Sequence, residues 1–342
     1  MPTFSLVDIL VWLPATALFI YVLWTRSRWP RPPWLKMLNP LAFWLFILWL
    51  FLTAGACLNP SLSHLLAILC AFSLFAAHFM YPAIPHRLPR TPNKAPRLCV
   101  MTANLYKRNE KVKDILQTII AEAPDVLALQ ELKEEHVQAI GQNLRNMYPY
   151  QMLYPGKESE GMGLISRYPF QSPKTCILTP GANPTQLASI QFANRRIWIL
   201  NVHPRIPHLE KVKVAGITFP IGLNSQERQK DIEAVIEVAA ELEEDTVMMG
   251  DMNTTSQCEE YQLIPPHWQN AHEETGWGLG LTYPVDEPFF GVPLPFPFFR
   301  IDHIFYRGEL EAITCHTGKM PGSDHRYLIT DLLVKTEGIE KS

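Results

Sequence analysis

Three apolar stretches near the amino terminus, Leu6–Trp24, Leu41–Leu58 and Leu62–Tyr81, constrain the chain more than any other feature. Each is about as long as a helix needs to be to cross a hydrocarbon core ~30 Å thick. The first carries Asp8 and Pro14, which weaken it as a span. No basic segment precedes it and two more spans follow, so it does not read as a cleavable signal peptide. The alternative is a set of core helices in a soluble domain, which the near-absence of charge disfavours. The expectation is a bundle of about three transmembrane helices over residues 1–81.

Charge divides the chain in the same way. Of 30 Lys/Arg and 33 Asp/Glu, eight and one lie in residues 1–97, so the head carries +7 and the remainder −10. Basic residues gather in the loop 25–36 and again in 86–97, with Trp24, Trp29, Trp34 and Tyr81 at the edges of the apolar stretches. Three spans put both basic segments on one side, and the excess of Lys and Arg makes that side cytoplasmic. Residues 82–97, Pro-rich and basic, then read as a linker on the membrane surface. The six cysteines are far apart, with no CxxC or CxH spacing. Neither a disulfide framework nor a zinc site is indicated, and a reducing compartment fits.

From Leu98 the pattern alternates. Strands are predicted at Leu98–Asn104, Asp125–Glu131, 149–154, 162–167, 186–192, 196–203, 301–306, 310–316 and 327–334. Helices are predicted at Val112–Ala123, 133–147 and 225–244. Residues 98–336 therefore read as one α/β domain, followed by a short tail, 337–342. Pro284–Phe299 holds five prolines and five phenylalanines and cannot form a regular strand or helix. Ile217–Leu223 reads as a similar apolar loop.

Polar groups recur where strands end. Val247–Met249 is a buried strand leading to Gly250, where a backbone break or close approach is expected, then Asp251 and Asn253. Two residues apart on an extended chain, both side chains would share one face. The plainer reading is a strand exit held by Asx turns. Asn104 and Glu131 close the first two strands, as structural caps or metal ligands. His203 closes RIWILNVH, two residues beyond Asn201; Asp302 opens one late strand and Asp324-His325 precedes the last. A lone strand-end histidine is more often a satisfied surface group than a catalyst. Together these groups offer oxygen ligands and no thiolate cluster, so a hard cation, Mg²⁺ or alternatively Mn²⁺, is expected.

Seven motifs now stand in one order: TANL at Asn104, LALQEL at Glu131, GMGLISRYP at 161–169, NVHP at His203, GDMN at 250–253, RIDHIF at 300–305 and SDHR at 323–326. In this the chain resembles the endonuclease/exonuclease/phosphatase family, whose fold is DNase I-like. GWGLGLTYP at 276–284 and the apolar head resemble its membrane-anchored bacterial branch. Tyr327 departs from the proline usual after SDHR.

The resemblance implies a four-layer sandwich of two mixed β-sheets flanked by helices, and metal-dependent cleavage of phosphate esters. It implies Glu131 as principal metal ligand, with Asn104 and Asp324 beside it. It implies Asp251 as the group that positions or deprotonates water and Asn253 as its orienter. His325, oriented by Asp302, would donate to phosphate, with His203 opposite. Arg300, His303 and Arg167 read as structural, while Lys107 and Arg108 read as solvated or phosphate-contacting. A charge of −10 over 98–342 disfavours strong duplex-DNA binding. Two apolar loops flanking the site suit a lipid-linked phosphate at a bacterial inner membrane. The alternatives are a membrane-tethered nuclease or a catalytically silent phosphate-binding module. Relatives in the anchored branch are built to work on the outer side, the opposite orientation from the one the basic residues give.

Overall fold

The computed structural model describes residues 5–27, 31–56, 61–89, 96–214, 216–242, 245–286, 288–289, 292–293 and 296–335. Expectations for Arg28, Trp29, Leu58, Arg90, Lys94 and the tail 337–342 lie outside the described residues. The chain divides into two compact units, Met1–Ile84 with His208–Asn224, and Pro85–Pro207 with Ser225–Ser342.

The first unit is built on α1 (Leu6–Arg26), α2 (Pro33–Leu38), α3 (Ala42–Ala56) and α4 (Leu62–Phe75), the last running on through a π-helical turn to Met80. Three stretches, Leu6–Thr25, Pro33–Phe51 and Leu62–Met80, are long and apolar enough to cross a membrane. The second begins earlier than the sequence pattern places it, because α2 and a 3₁₀ turn lead directly into α3. Part of the segment expected as a basic loop is thus helical.

Asp8 is the third residue of α1, and its carboxylate accepts from the Ser5 N–H at 2.8 Å while its own N–H donates to Ser5 Oγ. It therefore supplies half of a capping box for donors that would otherwise be orphaned. Its other oxygen meets His64 Nε2 at 2.7 Å, and His64 belongs to the cap of α4. The first turns of α1 and α4 are thereby joined. Pro14 has no N–H for the Leu10 carbonyl four residues back. Thr53 Oγ1 from α3 donates to that carbonyl at 3.2 Å. Leu18, Tyr21, Val22, Phe75 and Phe79 fill the space between the helices.

The unit also contains a two-stranded ribbon, β8 (His208–Val214) and β9 (Ile217–Asn224). This corrects the reading of 217–223 as a loop. Pro220 stands in β9 next to a register shift at Glu210/Lys211, and a two-stranded ribbon is all edge, where proline is tolerated. At Gly222 a Cβ would lie 2.5 Å from Pro33 Cβ, so the ribbon seats closely on the start of α2.

The second unit opens with β1 (Arg97–Asn104), α5 (Val112–Glu122), β2 (Val126–Gln130), α6 (Glu134–Asn143), β3 (Tyr150–Tyr154), β4 (Met162–Ser166), β5 (Gln171–Cys176), β6 (Thr185–Phe192) and β7 (Arg195–Val202). After the ribbon come α7 (Gln226–Ala240), β10 (Thr246–Asp251), β11 (Gln269–Asn270) and α8 (Ala271–Thr275). The two-residue strands β12 (Pro288–Phe289) and β13 (Val292–Pro293), then β14 (Asp302–Arg307), β15 (Leu310–Lys319) and β16 (Arg326–Val334), complete it.

Six-stranded sheets run β15-β16-β1-β2-β4-β3 and β11-β14-β10-β7-β6-β5, each mixing parallel and antiparallel pairs. Their facing sides share one core, with Val100, Val126 and Leu164 against Ile190, Ile199, Met249 and Ile304. Ile115, Ile119 and Ile140 of α5 and α6 cover the outer face of the first sheet, and Val235 and Ala239 of α7 cover the second. This is the four-layer sandwich expected. The polar strand β5 and the two-residue β11, β12 and β13 were not predicted.

One polar knot ties the sheets together. Asn201 of β7 accepts from Gln130 Nε2 at 2.8 Å, and its amide donates to Gly163 O at 2.9 Å, Leu129 O at 3.1 Å and Gln186 Oε1 at 3.1 Å. All of it is buried, so each lost partner leaves an unsatisfied group. Asn201→Ala is expected to cost about 3 kcal/mol. A melting temperature in detergent unchanged from wild type would refute that.

Candidate active site

Asp251 ends β10 and Asp302 begins β14, and the two are direct register partners. Both are buried, so two carboxylates oppose each other across a strand pair. Like charges so placed repel. His325 resolves this: its Nδ1 meets Asp302 Oδ2 at 2.8 Å, and its Nε2 lies 3.7 Å from Asp251 Oδ2. Burial alone would push the imidazole pKa down, but Asp302 and Asp251 outweigh it and raise it to about 10. Burial, with Asp302 adding, also raises the Asp251 carboxyl above its ordinary value. His203 stands at Asp251 too, its Nε2 3.6 Å from Oδ2, and its buried Nδ1 has no partner.

The turn carrying His325 is fastened to the first strand. Ser323 Oγ donates to Asn104 O at 2.7 Å and accepts from the His325 N–H at 3.0 Å. The Tyr283 ring packs against His325 at a tilt of 43°, centroids 4.8 Å apart. Its neighbours are pinned: Val285 N donates to Asp324 O and Arg326 N to Thr282 O. Tyr327 touches none of this; its hydroxyl donates to Glu122 at 2.7 Å.

Asn104 and Glu131 lie at the ends of the parallel pair β1 and β2. The Asn104 amide donates to Glu131 Oε1 at 3.3 Å and Asp251 Oδ2 at 3.1 Å, while its Oδ1 accepts from Tyr106 N. Glu131 Oε2 accepts from the Lys107 backbone N–H at 2.9 Å. Lys107 thus reaches the site through its backbone, and its ammonium pairs with Glu158. Burial, with Glu131 and Asp251 nearby, pushes the Asp324 carboxyl up to about 6; its buried Oδ1 accepts no hydrogen bond, and His325 Nε2 stands 4.0 Å from it. Half-buried carboxylates, one with an oxygen that accepts no hydrogen bond, match the donor set of a hard divalent cation. Asp251, Asp302 and His325 also have a spacing that could hold an ion. There His325 Nδ1 is already engaged by Asp302, so its proton serves that pair.

Asn253 departs from the strand-face expectation. It follows the end of β10 in the left-handed region, φ 51°, so it does not share an extended face with Asp251. Its N–H donates to Asp251 Oδ1 at 2.9 Å, which is the Asx turn, and its amide donates to Pro204 O at 2.9 Å. Asn253 therefore ties the Asp251 turn to the His203 loop.

Two residues hold this turn, and the first was missed in the sequence. Buried Arg228 of α7 donates to Asn253 O and pairs with Glu260 at 3.1 Å. His303 Nε2 meets Thr254 O at 3.0 Å and its Nδ1 meets Asn270 at 3.1 Å, a structural position as expected. Arg300 pairs with Glu273 at 2.7 Å and Arg167 donates to Ala123 O, both away from the carboxylates. Nothing in the local pattern marks Arg228, because its partner is 25 residues away in the chain.

A two-sheet sandwich with carboxylates, amides and histidines collected at the strand ends defines a class, the phosphoester hydrolases of DNase I-like fold. Residues 101–325 match the Endonuclease/Exonuclease/phosphatase family, and the chain belongs to it. Members are generally metal-dependent phosphoester hydrolases. No curated protein matches the chain by sequence. Among solved structures, an endonuclease/exonuclease/phosphatase from Bacteroides vulgatus is similar over 70% of this chain and 99% of its own, at 17% identity and TM-score 0.54. TDP2 of D. rerio complexed with single strand DNA product covers 69% and 98%, at 19% identity and TM-score 0.53. Truncated TDP2 of Caenorhabditis elegans covers 69% and 98%, at 15% identity and TM-score 0.54. These likenesses establish the fold.

The His325 charge makes a pH prediction. A histidine raised to about 10 on folding contributes stability that is complete below its ordinary value of 6.5 and lost as pH rises through about 10. Asp302→Asn removes its nearer carboxylate. The alkaline limb of the pH–rate profile is then expected to move to lower pH, with the rate down ~100-fold or more. An unmoved limb with a rate within about threefold of wild type would contradict the pairing.

Proposed function

We propose that the chain is a membrane-anchored, Mg²⁺-dependent phosphoesterase that hydrolyses the phosphate ester or pyrophosphate of a lipid-linked substrate. The observation that carries this is the open Asp324 oxygen beside Glu131, at one site with the Asp251–His325–Asp302 cluster. Glu131, Asp324 and Asn104 would hold the cation, with Mn²⁺ as a substitute for Mg²⁺. Bound there, it would polarise a phosphoryl oxygen and offset developing charge. Asp251 positions the attacking water and takes its proton, and Asn253 holds the turn on which Asp251 sits. His325 Nε2 has no protein hydrogen bond within 3.5 Å and donates to the phosphate. His203 serves as a phosphate donor or as acid to the leaving group.

Anchoring is supported by the three apolar helices, in which only 17–28% of the span residues are buried by protein. Helices apolar all round and uncovered by protein need an apolar solvent. A lipid substrate is supported by exposed aromatics: Trp277 is 65% exposed, and Phe296, 46% exposed, stacks on Phe298. The charge of −10 over residues 98–342 opposes duplex DNA. A tethered nuclease is the second reading, favoured by the single-strand DNA product in the D. rerio structure. The catalytic portion is assigned to the cytoplasmic face of a bacterial inner membrane on the basic residues of the head.

Glu131→Gln is expected to abolish Mg²⁺-dependent turnover and weaken Mn²⁺ binding by calorimetry, with melting temperature preserved. Full activity would remove Glu131 from the ligand set. Phosphate release from lipid phosphates and lipid pyrophosphates, run beside cleavage of single- and double-stranded DNA, decides the substrate. Cleavage of DNA alone would establish the nuclease, and no turnover on any of them a silent module. An alkaline phosphatase fusion after Ser342 is expected to be inactive; strong activity would place the domain outside.

A further inference from the structure

The β8–β9 ribbon lies inside the catalytic stretch of sequence yet belongs to the unit of the apolar helices. It seats on α2, where Gly222 leaves room for Pro33 and no more. This helix leads into the second apolar stretch and presents Trp34, 48% exposed, with Lys36 two residues on. Aromatic and basic residues together at the end of a span mark the headgroup level of a bilayer. The ribbon's own surface has the same chemistry. Lys211, Val212 and Lys213 on β8 and Phe219, Pro220 and Ile221 on β9 are all exposed.

Both legs of the ribbon lead to site residues. His208 follows His203 by five residues, a reach of at most about 18 Å even when fully extended. Asn224 precedes Arg228 by four, and Arg228 holds the Asn253 carbonyl.

We propose that β8–β9 is an interfacial element, lying in the headgroup layer of an anionic bilayer. Lys211 and Lys213 meet lipid phosphates, and Val212, Phe219 and Ile221 enter the apolar edge. This rests on the reading that the N-terminal helices span a membrane. The two stages of insertion are distinguishable by experiment.

The full chain is placed in nanodiscs containing phosphatidylglycerol, with p-benzoylphenylalanine replacing Phe219 or, separately, Phe72, which is 53% exposed on α4. Irradiation is expected to give a lipid adduct at both positions, read by mass spectrometry. An adduct at Phe72 with none at Phe219 overturns the ribbon's placement while leaving the spans intact. No adduct at Phe72 overturns the membrane reading, and the ribbon's placement with it. Lys211→Glu combined with Lys213→Glu is expected to lower the Phe219 yield at least threefold, as is replacing phosphatidylglycerol by phosphatidylcholine. A yield indifferent to both changes overturns the role of anionic headgroups.

Discussion

The site depends on one repulsion and its relief. Asp251 and Asp302 are paired by strand register, so the fold cannot separate them without unpairing β10 from β14. Water cannot screen them, because both are buried. An imidazolium from the opposite sheet is the relief. His325 sits just before β16, whose partner β1 lies in the first sheet, and it reaches the second sheet's carboxylates at 2.8 and 3.7 Å. The charge pair therefore works only when the two sheets are stacked. Site assembly and sandwich assembly are one event, and the buried Asn201–Gln130 knot fixes the same stacking at another point.

Two site residues sit just past strand ends in the left-handed region, Glu131 at φ 58° and Asn253 at φ 51°. That backbone is unfavourable for residues with a Cβ, by ~1–3 kcal/mol in such settings. The compensation is visible at each. Backbone N–H groups of Lys107 and Asn253 donate to Glu131 and Asp251, and Arg228 holds the Asn253 carbonyl. Leaving the strand turns each chain away from the sheet, with the Glu131 carboxylate meeting Asn104 and the Asn253 amide meeting the Pro204 carbonyl. Gly250 allows the turn to form against β7: a Cβ there would fall 1.9 Å from Val202 O.

What the sequence made legible follows from how local the cause is. Apolar runs ending in a polar group announce buried strands that stop at a common edge, and Asn104, Glu131, His203 and Asp251, picked out that way, do lie together there. Asp302 and His325 were paired through the family resemblance, and the structure brings them together. Asn253 went wrong because a period of two holds only while the chain stays extended, and β10 stops at Asp251. Ribbon strand β9 was hidden by Pro220 and by the lack of an apolar–polar alternation. Arg228 and Tyr283 were invisible for a different reason. Each acts on a residue far away in the chain, and an arginine in a charged helix looks solvated until the helix is docked.

The charge balance of the site explains why a cation fits it so readily. Glu131, Asp251, Asp302 and Asp324 bring four carboxylates into one neighbourhood, and the His325 imidazolium offsets one of them. The Asp324 carboxyl, pushed up to about 6 by burial first and then by Glu131 and Asp251, carries part of that cost, and the raised Asp251 carries another part. A phosphate ester is itself anionic, so the same surplus would repel the group the site is built to take. A divalent cation held by Glu131 and Asp324, as proposed above, would reverse both effects at once: it would favour the ionised carboxylates and turn a repulsive floor into an attractive one. The acidic character that argues against a duplex-DNA surface is thus compatible with phosphate chemistry, provided attraction comes from the metal and the two histidines. On the proposed function, attraction is then confined to a single phosphate or pyrophosphate, and the rest of such a substrate would be held by something other than charge.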